Sequence, residues 1–119
     1  FVSKIKSLSL KAVFYTIIGQ RNYDIKDYKK AVLYYNKSIL LYKLTNNIES
    51  LVETYYEVGK TKEKLKLFDD AKMYYEKGFE TAKNNSYLAG IKIGCLKFSA
   101  FYESQGNYKK SSLYLKYLN

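Results

Sequence analysis

Apolar positions along this chain recur at spacings of three and four, and strand-like alternation is sustained nowhere. Ile5, Leu8, Ala12, Tyr15 and Ile18 share one helical face, which predicts a helix from about residue 5 to Tyr23. Asp24-Ile25-Lys26-Asp27 then reads as a turn. Asp27 suits the N-cap of the next helix, because its carboxylate can accept the unpaired N–H groups of the first turn. That second helix carries Tyr28, Ala31, Leu33, Tyr35, Ser38, Ile39 and Tyr42. It should stop near Thr45-Asn46-Asn47, residues that accept turn and left-handed conformations. The plan then repeats. Ile48, Leu51, Val52, Tyr55 and Val58 mark one helix, Phe68, Ala71, Tyr75, Phe79 and Ala82 the next, and Lys83-Asn84-Asn85 is the stop. Leu88, Ile91, Cys95, Phe98 and Tyr102 open a third pair, and the turn Gln105-Gly106-Asn107 leads to Tyr108, Leu115 and Leu118.

The repeat is written in small residues as well as large ones. Gly19/Ala31 returns 40 residues later as Gly59/Ala71, and again as Ser99/Ser111. An aromatic stands three residues before each second small residue, at Tyr28, Phe68 and Tyr108. Small side chains here let two helices approach, since bulk would force them apart or strain them. The pattern predicts one all-α domain over residues 1–119, in three helical hairpins of about 5–45, 46–85 and 86–119. Stacked hairpins of this length are a scaffold.

Composition agrees with that picture. A chain of 119 residues suits one modest domain, and zero prolines with six glycines leave little punctuation between long helices. The net charge of +10 admits nucleic acid, anionic lipid or an acidic protein as partner. Arg21 is the only arginine among 21 basic residues, which weakens nucleic-acid recognition, where arginine forks are the usual tool. Cys95 is the single cysteine, which excludes an internal disulfide and fits a reducing compartment. No apolar run approaches the length of a membrane span. A cytoplasmic protein is expected. The opening Phe1-Val2-Ser3-Lys4 lacks a methionine and reads as a piece of something longer or a processed product.

Aligned by this register, the residues resemble tetratricopeptide repeats. They read Tyr15…Ile18-Gly19…Tyr28…Ala31…Tyr35, then Tyr55…Val58-Gly59…Phe68…Ala71…Tyr75, then Cys95…Phe98-Ser99…Tyr108…Ser111…Leu115. The period of 40 exceeds the usual 34, and the family's proline after the second helix is missing. Both departures are similar to a longer-helix subgroup found in bacterial peptide-sensing regulators, in sensor regions of transcription factors and kinases, and in kinesin light chains. The lysine, asparagine and tyrosine bias resembles that of an AT-rich bacterium.

The resemblance implies a right-handed superhelix whose first helices line a concave groove. By position that groove would hold Thr16, Gln20 and Tyr23 with Val13 and Ile17, then Glu53, Tyr56, Glu57 and Lys60 with Lys64, then Lys97 with Ile93, Leu96 and Ala100. Some members clamp a terminal carboxylate there, but Glu53 and Glu57 would oppose one, so a polar and aromatic groove for a peptide is expected instead. The function implied is a non-catalytic protein- or peptide-binding module of a bacterial signalling or transcription-regulatory protein. The alternatives are a nucleic-acid-associated helical repeat using the basic surface, and the sensor region of a histidine kinase.

Other motifs reduce to structure. Gly59-Lys60-Thr61 has Thr54 where a phosphate-binding loop needs glycine, so Gly59 reads as a packing residue. Lys60, Lys62, Lys64 and Lys66 read as a solvated basic run between two helices. Glu57 is placed to pair with Lys60. The chain has no histidine and no nucleophile–base pair, and no enzyme activity, metal or cofactor is expected. Cys95 reads as a buried small hydrophobe. The final segment, Leu113 to Asn119, carries no polar capping helix, so an exposed apolar face is expected there, packed on further sequence or on another copy.

Overall fold

The computed structural model describes residues 2–118; Phe1 and Asn119 lie outside the described residues. Among these it contains six α-helices and no strand: α1 (Val2–Asp24), α2 (Tyr28–Leu44), α3 (Ile48–Lys64), α4 (Phe68–Asn84), α5 (Leu88–Ser104) and α6 (Tyr108–Lys116). Each helix packs on the next, and α3 also reaches α5. The three hairpins stack into an α–α superhelix segment measuring 49 × 33 × 18 Å. The first helix begins at Val2, earlier than residue 5, and it outruns the 17-residue helices that follow.

The backbone repeats at half the period of the side chains. Every connection is three residues long, and its middle residue is left-handed: Lys26 (φ 67°), Asn46 (54°), Lys66 (63°), Ser86 (53°) and Gly106 (77°), spaced 20 apart. Each turn closes with the same two bonds, as in Lys26 N–H to Tyr23 O (2.9 Å) and Asp27 N–H to Asn22 O (2.8 Å). This is the Schellman arrangement, which satisfies carbonyls that the helix end leaves free. The residue that completes each turn is also the N-cap of the next helix, so one short segment ends one helix and starts another.

Three of these N-caps work through their side chains. Asp27, Asn47 and Asn107 accept from Lys30, Ser50 and Lys110 N–H. Leu67 and Tyr87 hold the equivalent places and make no such bond. Leu67→Asn should therefore stabilise the protein by about 1 kcal/mol. Urea unfolding would register this as a higher midpoint at unchanged slope, and an unchanged or lower midpoint would refute it.

The core runs the length of the stack and is rich in tyrosine. Tyr35, Tyr56 and Tyr75 are among its largest fully buried side chains. Gly19 and Gly59 give up a side chain for two of them: a Cβ at Gly19 would lie 2.7 Å from the Tyr35 ring, and one at Gly59 2.5 Å from the Tyr75 ring. In the third hairpin Leu115 replaces the tyrosine, the glycine becomes Ser99, and Ser99 and Ser111 hydroxyls hydrogen-bond at 2.9 Å. The glycine thus seats a ring as much as it lets two backbones approach.

Some expected core positions face outward. Leu33, Ile5 and Leu115 are exposed. In α6 the inward residues are Ser111 and Tyr114. The Tyr114 ring stacks on Phe98 at 4.7 Å between centroids, so Leu115, one residue on, is turned away. The basic run is not a linker either, since Lys60, Lys62 and Lys64 belong to α3 and only Lys66 lies in the turn.

Candidate functional site

Helices α1, α3 and α5, the first of each pair, bring their exposed stripes to one side of the stack. Seven expected groove residues, Thr16, Gln20, Glu53, Tyr56, Glu57, Ile93 and Lys97, line a single hollow of about 350 Å³ there. Tyr23 and Lys60 line the neighbouring hollow of about 550 Å³, with Glu63, Lys64 and Phe68. The two hollows meet through the α3 side chains: Glu57 Oε2 lies 3.1 Å from Lys60 Nζ, and Lys60 Nζ stands 4.5 Å from the centre of the Tyr23 ring. The expected Glu57–Lys60 pair is present, and the tyrosine face gives the ammonium a second favourable neighbour.

Tyr56 is not a free groove residue. It is 2% exposed and its hydroxyl donates to Gly90 O at 2.8 Å. Gly78 makes room for its ring, since a Cβ there would lie 2.5 Å from Tyr56 Cε1. In the first hairpin the same contact is scaled differently, with Thr16 Oγ1 donating to Ser38 Oγ at 2.9 Å. Tyr56 therefore forms part of the wall, while Gln20 and Glu53 are the exposed members of the set. Val13, Ile17 and Leu96 are exposed, although none of them lines either hollow.

Residues of the second helix and of the small-residue positions, absent from the expected set, complete the wall. Tyr35 and Tyr42 reach in from α2, and Ser50 and Thr54 from α3. Tyr35 donates to Gln20 Oε1 at 3.2 Å, and Tyr42 Oη lies 3.1 Å from Thr16 Oγ1. Burial pushes the Tyr35 phenol up from its ordinary value, and the Glu57 and Asp24 carboxylates add to this. It remains a neutral donor at physiological pH. The hollow presents two carboxylates, one ammonium and several hydroxyls. Such a wall can accept N–H groups and cations from an extended chain, and it repels a terminal carboxylate.

A larger groove of about 760 Å³ lies between α4 and α6, floored by Phe79, Phe98, Tyr102 and Tyr114 and edged by Glu76, Lys83 and Lys110. The aromatic residues are visible in the sequence. Their convergence depends on α6 laying Tyr114 over Phe98 and Tyr102, at 4.7 and 5.8 Å. Cys95 is buried away from both faces, and burial pushes its thiol up, which leaves it unreactive. No helix among the described residues is long and apolar enough to cross a membrane.

Residues 52–85 match the model of the tetratricopeptide repeat. The structure superposes on the tetratricopeptide-repeat domain of Arabidopsis FLU with a TM-score of 0.82 at 13% identity, over 92% of each chain. It also superposes on MamA with a TM-score of 0.70 at 23% identity, over 94% of this chain and 63% of that one. At these identities the likeness is one of fold. No curated protein sequence matches the chain. The chain therefore carries one matched tetratricopeptide repeat, at residues 52–85, and shares the fold of tetratricopeptide-repeat domains.

Proposed function

We propose that this chain is a non-catalytic scaffold that binds a peptide segment of a partner protein along the side formed by α1, α3 and α5. The observation that carries this reading is the convergence of Thr16, Gln20, Glu53, Glu57 and Lys97, from three different helices, on one hollow walled by fixed tyrosines. The walls are held by core packing and by hydrogen bonds, so little ordering entropy is spent on binding. An extended peptide would find hydroxyl and carboxylate partners at intervals along the groove. We place the module in the cytoplasm, as part of a bacterial signalling or transcription-regulatory protein, on the resemblance of its long repeats to such sensors. A second contact is proposed at α6, where Leu113, Leu115 and Tyr117 are exposed and self-association would cover them.

A random peptide library selected on the folded chain tests the binding face. Selected peptides should lose at least about tenfold in affinity, or 1.4 kcal/mol, when Gln20→Arg and Glu53→Lys are combined. They should be indifferent to Leu113→Ser in the α4–α6 groove. All three positions are exposed, so folding should survive. The opposite pattern would move the binding face to the other groove and end this reading.

A further inference from the structure

The outer helix layer, α2, α4 and α6, repeats in position but not in chemistry. Helix α4 shows which positions stay open when a hairpin packs on either side, because it meets both joints of the stack. Its Tyr74 hydroxyl donates to Asn36 Oδ1 of α2 at 3.4 Å, and its Phe79 ring stands 6.3 Å from the Tyr114 ring of α6. The exposed outer positions of α4 include Met73, Lys77, Glu80, Lys83 and Asn84. Their counterparts on α2, 40 residues earlier, are Leu33, Lys37, Leu40, Lys43 and Leu44, and these are exposed as well. The openness of this face therefore belongs to the helix layer, and a further hairpin stacked in the same way would not cover it. The two helices differ in what they place there. Where α4 has Glu80, Asn84, Asp69 and Asp70, α2 has Leu40, Leu44, Lys29 and Lys30. Helix α2 carries four lysines and no carboxylate, against three lysines and four carboxylates on α4.

Leu33, Leu40 and Leu44 are 52%, 64% and 73% exposed. Helical geometry sets them within about 40° of one another around α2, in an apolar stripe about 16 Å long with lysines on both flanks. Among the described residues every ion pair lies within α3 and α4, so no carboxylate neutralises the α2 lysines. Asp27, at the N-cap, accepts from the Lys30 backbone N–H, and Lys37 Nζ rests 5.3 Å from the centre of the Tyr34 ring with its charge intact. Leucines between lysines fit the headgroup boundary of an anionic bilayer, where apolar side chains enter the acyl edge and ammonium groups meet the headgroups. None of the three leucines lines either hollow or the α4–α6 groove. They form a ridge, which a fluid surface can mould around, whereas a folded acidic protein would need a matching groove to bury it. Nucleic acid, held through its phosphates, would leave the leucines without a partner. We propose that α2 docks the chain on an anionic phospholipid surface, with Leu33, Leu40 and Leu44 in the boundary and Lys29, Lys30, Lys37 and Lys43 on the headgroups. This is contact with a surface and not a span, since no helix among the described residues is long and apolar enough to cross. The groove on α1, α3 and α5 belongs to the other layer and stays open to a peptide.

Vesicles of phosphatidylcholine alone, and of phosphatidylcholine mixed equally with phosphatidylserine, test the docking. The folded chain should sediment with the mixed vesicles, less so in high salt, and stay in solution beside pure phosphatidylcholine. Two double variants give α2 the residues of α4: Leu40→Glu with Leu44→Asn, and Lys29→Asp with Lys30→Asp. Each should weaken binding at least about tenfold. Lys4→Asp with Lys92→Asp removes the same charge from α1 and α5 and should weaken it far less. All six positions are exposed, and circular dichroism establishes that the variants are folded. The chain has no tryptophan, so Leu44→Trp adds a single reporter whose emission should shift to the blue on mixed vesicles. Equal losses from the two lysine pairs, or an unshifted emission from vesicle-bound Leu44→Trp, would show general charge attraction and overturn the docking. Equal binding to both kinds of vesicle would overturn it too, by removing the anionic requirement. No binding to mixed vesicles at low salt ends the proposal, and polyglutamate bound instead would make the partner an acidic polypeptide.

Discussion

Replacing Tyr75 with alanine should remove about 3–5 kcal/mol of stability and lower the thermal midpoint by on the order of 10–20 °C. Tyr75 is 1% exposed and sits at the centre of the stack. Its ring packs at 6.1 Å from Phe98 and 6.0 Å from Phe101 across the second joint. Its hydroxyl donates to Glu63 Oε2 at 2.5 Å. Alanine would leave a cavity, an unpaired carboxylate oxygen and a loosened joint between two hairpins, against a total stability of roughly 5–15 kcal/mol.

The pairing with Gly59 gives a second, sharper arm. Gly59→Ser alone should cost about 1–3 kcal/mol, because the new side chain meets the Tyr75 ring in a filled core. In a Tyr75→Leu background the same serine should cost under about 0.5 kcal/mol, since the leucine no longer occupies the space. The third hairpin already carries that combination, Ser99 with Leu115. The double-mutant cycle should show coupling of at least about 1 kcal/mol. Additive costs would mean that the glycine serves the helix backbone and not the ring.

That pairing also marks where sequence reasoning succeeds and where it stops. The 40-residue return of Gly19/Ala31 announces hairpins, because small residues at fixed offsets have one economical explanation, a close helix contact. The 20-residue backbone period is harder to read. Its left-handed turn residues are Lys26, Asn46, Lys66, Ser86 and Gly106, and only glycine and asparagine advertise that conformation. The groove shows the same limit. Positions such as Thr16, Glu53 and Lys97 follow from the resemblance to tetratricopeptide repeats, carried onto the helical register. The burial of Tyr56 does not, since it depends on Gly78 of the neighbouring helix leaving room. Likewise the inward turn of Tyr114 is decided by Phe98 and Tyr102, which belong to another helix. Register within one helix is legible; the choice among aromatic residues for a shared space is settled only when two helices meet.

Alkali should unfold this protein in a window that opens near pH 10. Tyr35, Tyr56 and Tyr75 are all pushed up from the ordinary phenol value of 10.0, in each case chiefly by burial. Carboxylates add to the effect, Glu57 at Tyr35 and the hydrogen bond to Glu63 at Tyr75. A phenol is uncharged until it loses its proton, so above pH 10 the folded chain retains protons that the unfolded chain has released. Stability is then fully present below the unfolded value and is lost as the pH rises toward the folded ones. Each phenol contributes a slope of about 1.4 kcal/mol per pH unit, and the three together about 4. A total of roughly 5–15 kcal/mol would be consumed within a few pH units. Tyrosinate absorbance should therefore rise in two stages. The stage that belongs to these three rings coincides with loss of helical circular dichroism. Tyr75→Phe should flatten the alkaline slope by about a third. A single smooth titration near pH 10 with the helices intact would show that these three rings are not sealed in the core.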